Sequence, residues 1–294
     1  MNAVWKVPVA LTHREGRAVN AMSVDMEEHF QVQALACRVS RDDWPSRASR
    51  VEHSGNRVLD LFAAHDVKAT FFTLGWVAER HPHLVKRIVA DGHELASHGY
   101  QHIRVDRQTP EEFRGDIRRT KSILEDIGGV HVRGYRAATF SIGRDNLWAF
   151  TVLAEEGYRY SSSVNPIRHD NYGMEEAPRT AFYPVGVNGV IEYPISTVRL
   201  GKRNFPCGGG GFFRLLPYSV SRWAIAHVNT AEHVPTIFYF HPWEIDAEQP
   251  REAGLPFKSR FRHYLNLDRI EPRLTRLARD FAWDRIDRVF PLAA

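Results

Sequence analysis

Short apolar runs alternate with longer stretches in which apolar residues recur at helical spacing, an alternation that starts at Val19 and continues almost to the C-terminus. The first kind reads as buried strand and the second as amphipathic helix. The spacing predicts a strand over 19–24, a helix over 54–65 with Val58, Leu59, Leu61 and Phe62 on its apolar side, and a β-rich run over 69–74. A helix over 76–90 follows, closed by Asp91-Gly92, and then a short strand over 93–97. Thr109-Pro110-Glu111-Glu112 supplies a capping hydroxyl, a first-turn proline and acidic residues for a helix that Gly128-Gly129 ends. Beyond it the pattern predicts strands over 130–137, 158–164, 189–198 and 236–241, and helices over 144–156, 218–231 and 271–281.

Strand and helix in this order argue for parallel βα units, hence an α/β barrel or an open α/β sheet. Residues 1–18 read as an N-terminal extension, and 19–294 as a single domain whose C-terminal extension starts at about 246. The stretches 165–189 and 202–211 read as long loops that form walls or lids over a site.

Three fragments placed just after expected strands carry the candidate chemistry: Asp25-Met-Glu27-Glu28, His98-Gly-Tyr-Gln-His102 and His241-Pro-Trp243. In a barrel such positions share the C-terminal face, where active sites are built. Asp25 and Glu27 lie two apart and share one face of an extended strand, whereas Glu28 faces the other way, as a solvent-exposed or supporting group. The H-x-x-x-H pair chelates a metal or is a pair of surface or capping histidines; Gly99 favours a turn that brings the two rings together. His241 leaves an apolar strand as a rigidly held imidazole, structural or catalytic. Arg136, at the end of another strand, needs a carboxylate partner if buried, and Asp25 is the natural one. Imidazole and carboxylate are the donors a zinc-type ion takes, with one position open for water in a catalytic site.

Composition narrows the classes. With 43% hydrophobic and 12% aromatic residues, the 294-residue chain buries a sizeable core, and disorder is excluded. The formal charge is +4 and the pI about 9.1, but no basic cluster interleaved with aromatics points to nucleic acid. Cys37 and Cys207 imply no disulfide framework. The apolar run Val7–Leu11 is too short for a secretory signal, and no run reaches the roughly 20 apolar residues that span a bilayer, so the chain reads as cytoplasmic.

Taken together in this order, Asp25–Phe30, His98–His102, Gly134–Ser141 and Phe238–Glu244 resemble the polysaccharide deacetylases with a NodB-homology domain, carbohydrate esterase family four. The resemblance covers about 19–245 and is nearest to a subgroup related to peptidoglycan deacetylases and allantoinase-like proteins, found with bacterial exopolysaccharide and PEP-CTERM gene clusters. It implies a distorted (β/α) barrel with fewer than eight units, with long loops and a C-terminal helix. It implies a divalent metal, usually Zn²⁺, on Glu27, His98 and His102, with Asp25 as base, Arg136 positioning it and His241 as general acid. Tyr135, Phe140 and Trp243 are the expected substrate-binding side chains. The implied activity is removal of N-acetyl groups from an N-acetylhexosamine-containing polysaccharide or precursor. The alternatives are an impaired glycan-binding protein on the same fold and a hydrolase of a small amide or ureide. Two departures stand out: Ala138 replaces a usual proline, and Ser161 replaces an acid that usually supports the arginine or the catalytic histidine. The oligomeric state is left open.

Overall fold

The strand Arg17–Met26 is the axis of a curled sheet, because it is paired along both edges. On one side Ser23–Met26 run parallel to Thr70–Thr73, and on the other Ala21–Val24 run parallel to Ile237–Phe240. The parallel order continues from Thr70–Thr73 through Glu94–Ser97, Gly134–Tyr135, Tyr160–Ser161 and Ile191–Glu192. Antiparallel Phe182–Tyr183 and Trp5–Lys6 complete that edge. The computed structural model describes residues 5–290 apart from 171, 185 and 188. The first four residues of the expected extension and the last four of the expected domain therefore lie outside the described residues.

Strand alternation divides the core into layers. Ala21, Phe72, Ala96, Tyr160, Ile237 and Tyr239 pack together inside the curl. Met22, Val24, Met26, Phe71, Phe238 and Phe240 face outward and are covered by helices, Val51–Ala64 among them. Leu95 and Tyr135 face a second outer layer that includes Phe113, Ile117 and Leu124 of the helix Pro110–Gly128. That helix begins and ends as its sequence predicts. Thr109 Oγ1 accepts from the Glu112 N–H, Glu112 accepts from the Thr109 N–H, and Gly129 closes it at φ +65°.

Several expectations change. The single helix over 76–90 is two, Gly75–Arg80 and Pro82–Ala90, because Pro82 cannot continue a helical hydrogen-bond ladder. The long strands over 130–137 and 158–164 shrink to Gly134–Tyr135 and Tyr160–Ser161. The C-terminal part gains the helices Gly210–Leu215 and Phe257–Tyr264 and the strand Ala282–Asp284, which pairs with Val19–Ala21. The expected N-terminal extension is woven into the sheet, for His13–Arg14 pair with Arg17–Ala18.

The stretch 202–211 is not a free loop. Arg203–Pro206 forms a hairpin with Thr197–Leu200, and the chain then runs beside Ile237–Phe240. Gly208 accepts from the Tyr239 N–H at 2.7 Å, and the Cys207 N–H donates to Ser196. A Cβ at Gly209 would sit 2.0 Å from the Tyr239 carbonyl oxygen, so only glycine permits this approach. The segment narrows the gap between the two ends of the curled sheet.

His93 illustrates the packing. Its ring lies between Phe62 and Phe71, and Nδ1 accepts the Ala69 N–H at 3.1 Å. Burial, with Lys68 nearby, pushes its pKa down to about 4. The unfolded chain therefore takes up a proton below about pH 6.5 that the folded chain refuses, and stability falls as pH drops from there towards 4. Asparagine offers an oxygen to Ala69 but does not titrate. We expect His93→Asn to lose about 2 kcal/mol less stability than the parent between pH 7 and pH 4, measured by urea unfolding.

Candidate active site

Asp25, Glu27, His98, His102, Phe140, His241 and Trp243 line a cleft of about 370 Å³ at the C-terminal rim of the curled sheet, with Arg136 buried behind Asp25. Asp25 and Glu27 end the axial strand on its inner face, as their spacing predicts. His98 follows the strand Glu94–Ser97, and Gly99 at φ +76° and His102 at φ +51° fold the loop back. The turn is tied by Asp116, which accepts the Tyr100 N–H at 2.8 Å. The two imidazole centroids come within 5.2 Å of each other.

One oxygen of Glu27 and one nitrogen each of His98 and His102 lie within 4.8 Å of one another. The hydrogen bonding of the rings fixes which nitrogens are free. His98 Nδ1 donates to the Arg136 carbonyl at 2.8 Å, and His102 bonds the Gln31 carbonyl. Each ring therefore presents a bare lone pair. His102 Nε2 stands 3.2 Å from Glu27 Oε2, which is buried without a hydrogen bond. Acceptors converging on acceptors in a buried pocket are compensated by a cation or a proton. Burial lowers the pKa of His98 and takes that of His102 well below its ordinary value, keeping both rings neutral as ligands must be. Burial pushes Glu27 up to about 7, with His241 pulling the other way. This donor set fits a divalent metal.

Asp25 is held by a different device. Arg136, fully buried, donates through Nη1 to Asp25 Oδ1 at 2.6 Å and to Ser23 Oγ at 2.9 Å. Its Nε and Nη2 donate to the carbonyl and hydroxyl of Ser162, and its plane lies over Phe72 at 4.0 Å. Burial pushes Asp25 up, but Arg136 and the nearby imidazoles more than offset it, leaving the carboxyl below its usual range. Oδ2 faces the cleft, 3.9 Å from His241 Nε2.

His241 follows the strand Ile237–Phe240, and Pro242 starts a short 3₁₀ turn that brings Glu244 back beneath it. Glu244 Oε1 pairs with His241 Nδ1 at 2.6 Å and accepts the His241 N–H at 3.2 Å, while Arg214 Nε lies 3.0 Å from Glu244 Oε2. Burial lowers the His241 pKa, but the hydrogen bond to Glu244 and the carboxylates of Glu27 and Asp25 raise it to about 9. Its Nε2–H points into the site, 3.5 Å from Glu27 Oε1.

Four expectations need correction or refinement. Tyr135 does not line the cleft: Arg136 faces inward, so its neighbour faces outward, packed against Phe113 and Tyr158. Trp243 lines the cleft but is almost wholly buried. Its Nε1 donates to Glu27 at 3.2 Å and its ring stacks between His241 and His263, so it braces the site. Phe140 does line the cleft, against Tyr172 and Tyr239. Glu28 is fully buried, not solvated, and accepts the Arg50 and Val51 N–H groups at the start of the helix Val51–Ala64. Ser161 bonds Ser163 and does not touch His241; the orienting acid is Glu244, readable from the three-residue spacing in His241-Pro-Trp-Glu244. Arg214 carries no local sequence signal.

The result is a curled α/β half-barrel with two carboxylates and three histidines at its rim, the architecture that the sequence resemblance implies. Comparison with known proteins agrees. Residues 40–160 match the polysaccharide deacetylase family, and 162–291 match a domain of unknown function, DUF3473. The chain therefore carries, over 40–160, a domain of the NodB-like polysaccharide deacetylase type. Over 73 residues it is 41% identical to a peptidoglycan-N-acetylglucosamine deacetylase of Bacillus cereus, covering 25% of this chain and 26% of that protein. Over 100 residues it is 34% identical to a chitooligosaccharide deacetylase of Rhizobium leguminosarum bv. trifolii, covering 33% of this chain and 44% of that one. The matches thus span from a quarter to less than half of these relatives. The fold is similar to that of a candidate polysaccharide deacetylase from Mycobacterium smegmatis, with a TM-score of 0.59 at 18% identity over 97% of this chain and 93% of that one.

If the three converging donors hold a metal, His98→Ala and His102→Ala each lose stoichiometric metal on dialysis while keeping the native circular dichroism spectrum. Glu27→Gln weakens retention, whereas Asp25→Asn keeps it. Elemental analysis decides, and metal loss in Asp25→Asn with retention in Glu27→Gln would exchange the two carboxylate roles.

Proposed function

We propose that this chain is a metal-dependent N-deacetylase that removes acetyl groups from N-acetylhexosamine units of a glycan, with Zn²⁺ held by Glu27, His98 and His102. The observation that carries the reading is the cleft-facing pair formed by Asp25 Oδ2 and His241 Nε2 beside the three converging donors. One is a carboxylate oxygen left free by Arg136, and the other is an imidazolium N–H backed by Glu244.

When bound, the metal supplies Lewis acidity that brings the pKa of a water to about 7. Asp25 Oδ2 takes the proton as water attacks the acetamide carbon. Arg136 holds Oδ1 throughout and so fixes which oxygen acts as base. As the C–N bond breaks, His241 Nε2 delivers a proton to the leaving nitrogen, because an amide anion is too poor a leaving group to depart alone. Glu244 keeps the imidazolium oriented, with its own charge balanced by Arg214. The products are acetate and a free amine on the sugar.

Phe140, Tyr172 and Tyr239 on one wall, with Phe212 also lining the cleft, offer aromatic surface suited to sugar rings. The activities named for the Bacillus and Rhizobium relatives favour an N-acetylglucosamine-type substrate over a small ureide. The impaired-enzyme reading rested on Ser161, and Glu244 supplies the carboxylate that reading lacked.

The test is acetate release from N-acetylglucosamine oligomers by zinc-loaded protein, with allantoin as the alternative substrate. Asp25→Asn is expected to lower turnover by about 10²–10⁴-fold with metal content unchanged. Turnover of allantoin without acetate release would overturn the substrate class. His241→Ala is expected to fall by a similar factor on acetamides but far less on activated acetyl esters, whose phenolate leaving groups need no proton. Equal losses on both would place His241 in binding or oxyanion stabilisation instead.

A further inference from the structure

Exposed apolar side chains are concentrated on one side of this molecule. Among the described residues, every exposed large hydrophobic except Val130 and Leu147 falls within 197–223 or 257–261. The first group lies on the hairpin Thr197–Leu200/Arg203–Pro206, at the end of the helix Gly210–Leu215 and at the start of the helix Tyr218–Ala231. Leu200, Phe205, Val220 and Trp223 border a groove of about 120 Å³. Phe212 lines both this groove and the active-site cleft, whose mouth also carries Leu215 and Phe261. Phe257, 74% exposed, stacks on Phe261 one helical turn away. The apolar surface is therefore continuous from the hairpin to the lip of the cleft. Isolated surface hydrophobics need no explanation, but a contiguous patch marks an interaction site.

The charge on the same elements indicates the partner. From Tyr193 to Ala231 the sequence holds no Asp or Glu, and the same is true from Ala253 to Leu267. Arg199, Lys202 and Arg203 are exposed around the tip of the hairpin, and Arg260 is exposed on the helix Phe257–Tyr264, where Lys258 and Arg262 are paired with Asp170. Basic residues beside exposed Trp, Phe and Leu suit an interface that is negatively charged at its surface and hydrocarbon just beneath. No helix among the described residues is long and apolar enough to cross a membrane.

We propose that this rim docks on an anionic lipid bilayer, with the hairpin and the helix Phe257–Tyr264 at the surface and the mouth of the cleft beside it. Phe205 and Trp223 enter the interface, and Arg199, Lys202 and Arg203 pair with lipid phosphates. The docking surface is independent of the deacetylase reading, because the side chains assigned to the membrane, Arg199, Lys202, Arg203, Phe205 and Trp223, do not line the catalytic cleft.

The test is co-sedimentation of the full chain with vesicles of phosphatidylglycerol and phosphatidylcholine, with pure phosphatidylcholine vesicles alongside. Binding is expected only with the anionic vesicles, and it should weaken as salt is raised. The triple variant Arg199→Gln/Lys202→Gln/Arg203→Gln is expected to bind at least about tenfold more weakly. Phe205→Ser/Trp223→Ser is expected to lose binding at any salt concentration. Both variants should keep the parent circular dichroism spectrum and the parent turnover on soluble N-acetylglucosamine oligomers. Absence of binding, equal binding to neutral vesicles, or full binding by the triple variant would overturn the proposal. So would a concentration-dependent dimer in analytical ultracentrifugation that Phe205→Ser/Trp223→Ser abolishes, with no lipid binding. Vesicle binding by a protein without turnover would support the docking surface and count against the activity.

Discussion

A guanidinium with no access to water is tolerated only if each of its donors is satisfied and its charge is met by a carboxylate. Arg136 imposes this condition on the centre of the fold. It requires Asp25 and Ser23 from the axial strand, and the carbonyl and hydroxyl of Ser162 from the segment after Tyr160–Ser161. That segment is itself held by Glu192, which accepts the N–H groups of Ser163 and Val164. Arg136 also returns its carbonyl to His98, fixing the tautomer of that ring. The register of several strands, the free oxygen of Asp25 and the free nitrogen of His98 thus follow from one buried cation.

The other half of the site is arranged around a second cation in the same manner. Arg214 meets Glu244, Glu244 meets His241, and Trp243 between them reaches Glu27. The matched family segments divide between residues 160 and 162, yet Asp25, Arg136 and the His98–His102 pair come from before that point while His241, Glu244 and Arg214 come from after it. The segment described only as a domain of unknown function completes the sheet beside the axial strand and supplies one wall of the cleft.

Strand alternation made much of this legible. The two-residue spacing of Asp25 and Glu27 placed both inside the curl, and the Gly99 turn folded His98 and His102 together. The same parity applied to Gly134-Tyr135-Arg136 sends Tyr135 outward, whereas the motif taken as a unit puts it in the cleft with Arg136. Glu28 was placed on the correct face, but that face is covered by the start of a helix instead of solvent, and burial cannot be read from parity alone. Arg214 was not legible, because its partner lies thirty residues ahead in the chain and no local pattern links them. The glycines before it read as part of a long loop, whereas Gly209 serves close backbone approach to Tyr239.

The pairing of the axial strand also sets an order of assembly. Glu27, His98 and His102 leave the ribosome early, with the strands Thr70–Thr73 and Glu94–Ser97 that hold them. The other neighbours of the axial strand, Ile237–Phe240 and Ala282–Asp284, come from the far end of the chain. Contacts of such long sequence separation form slowly, since loop closure precedes their stabilisation. During synthesis one edge of the central strand therefore waits open, its backbone donors and acceptors available to a wrong partner. The converging donors Glu27, His98 and His102 are complete in sequence long before His241, and the nascent chain passes through a stage that has the first group without the second.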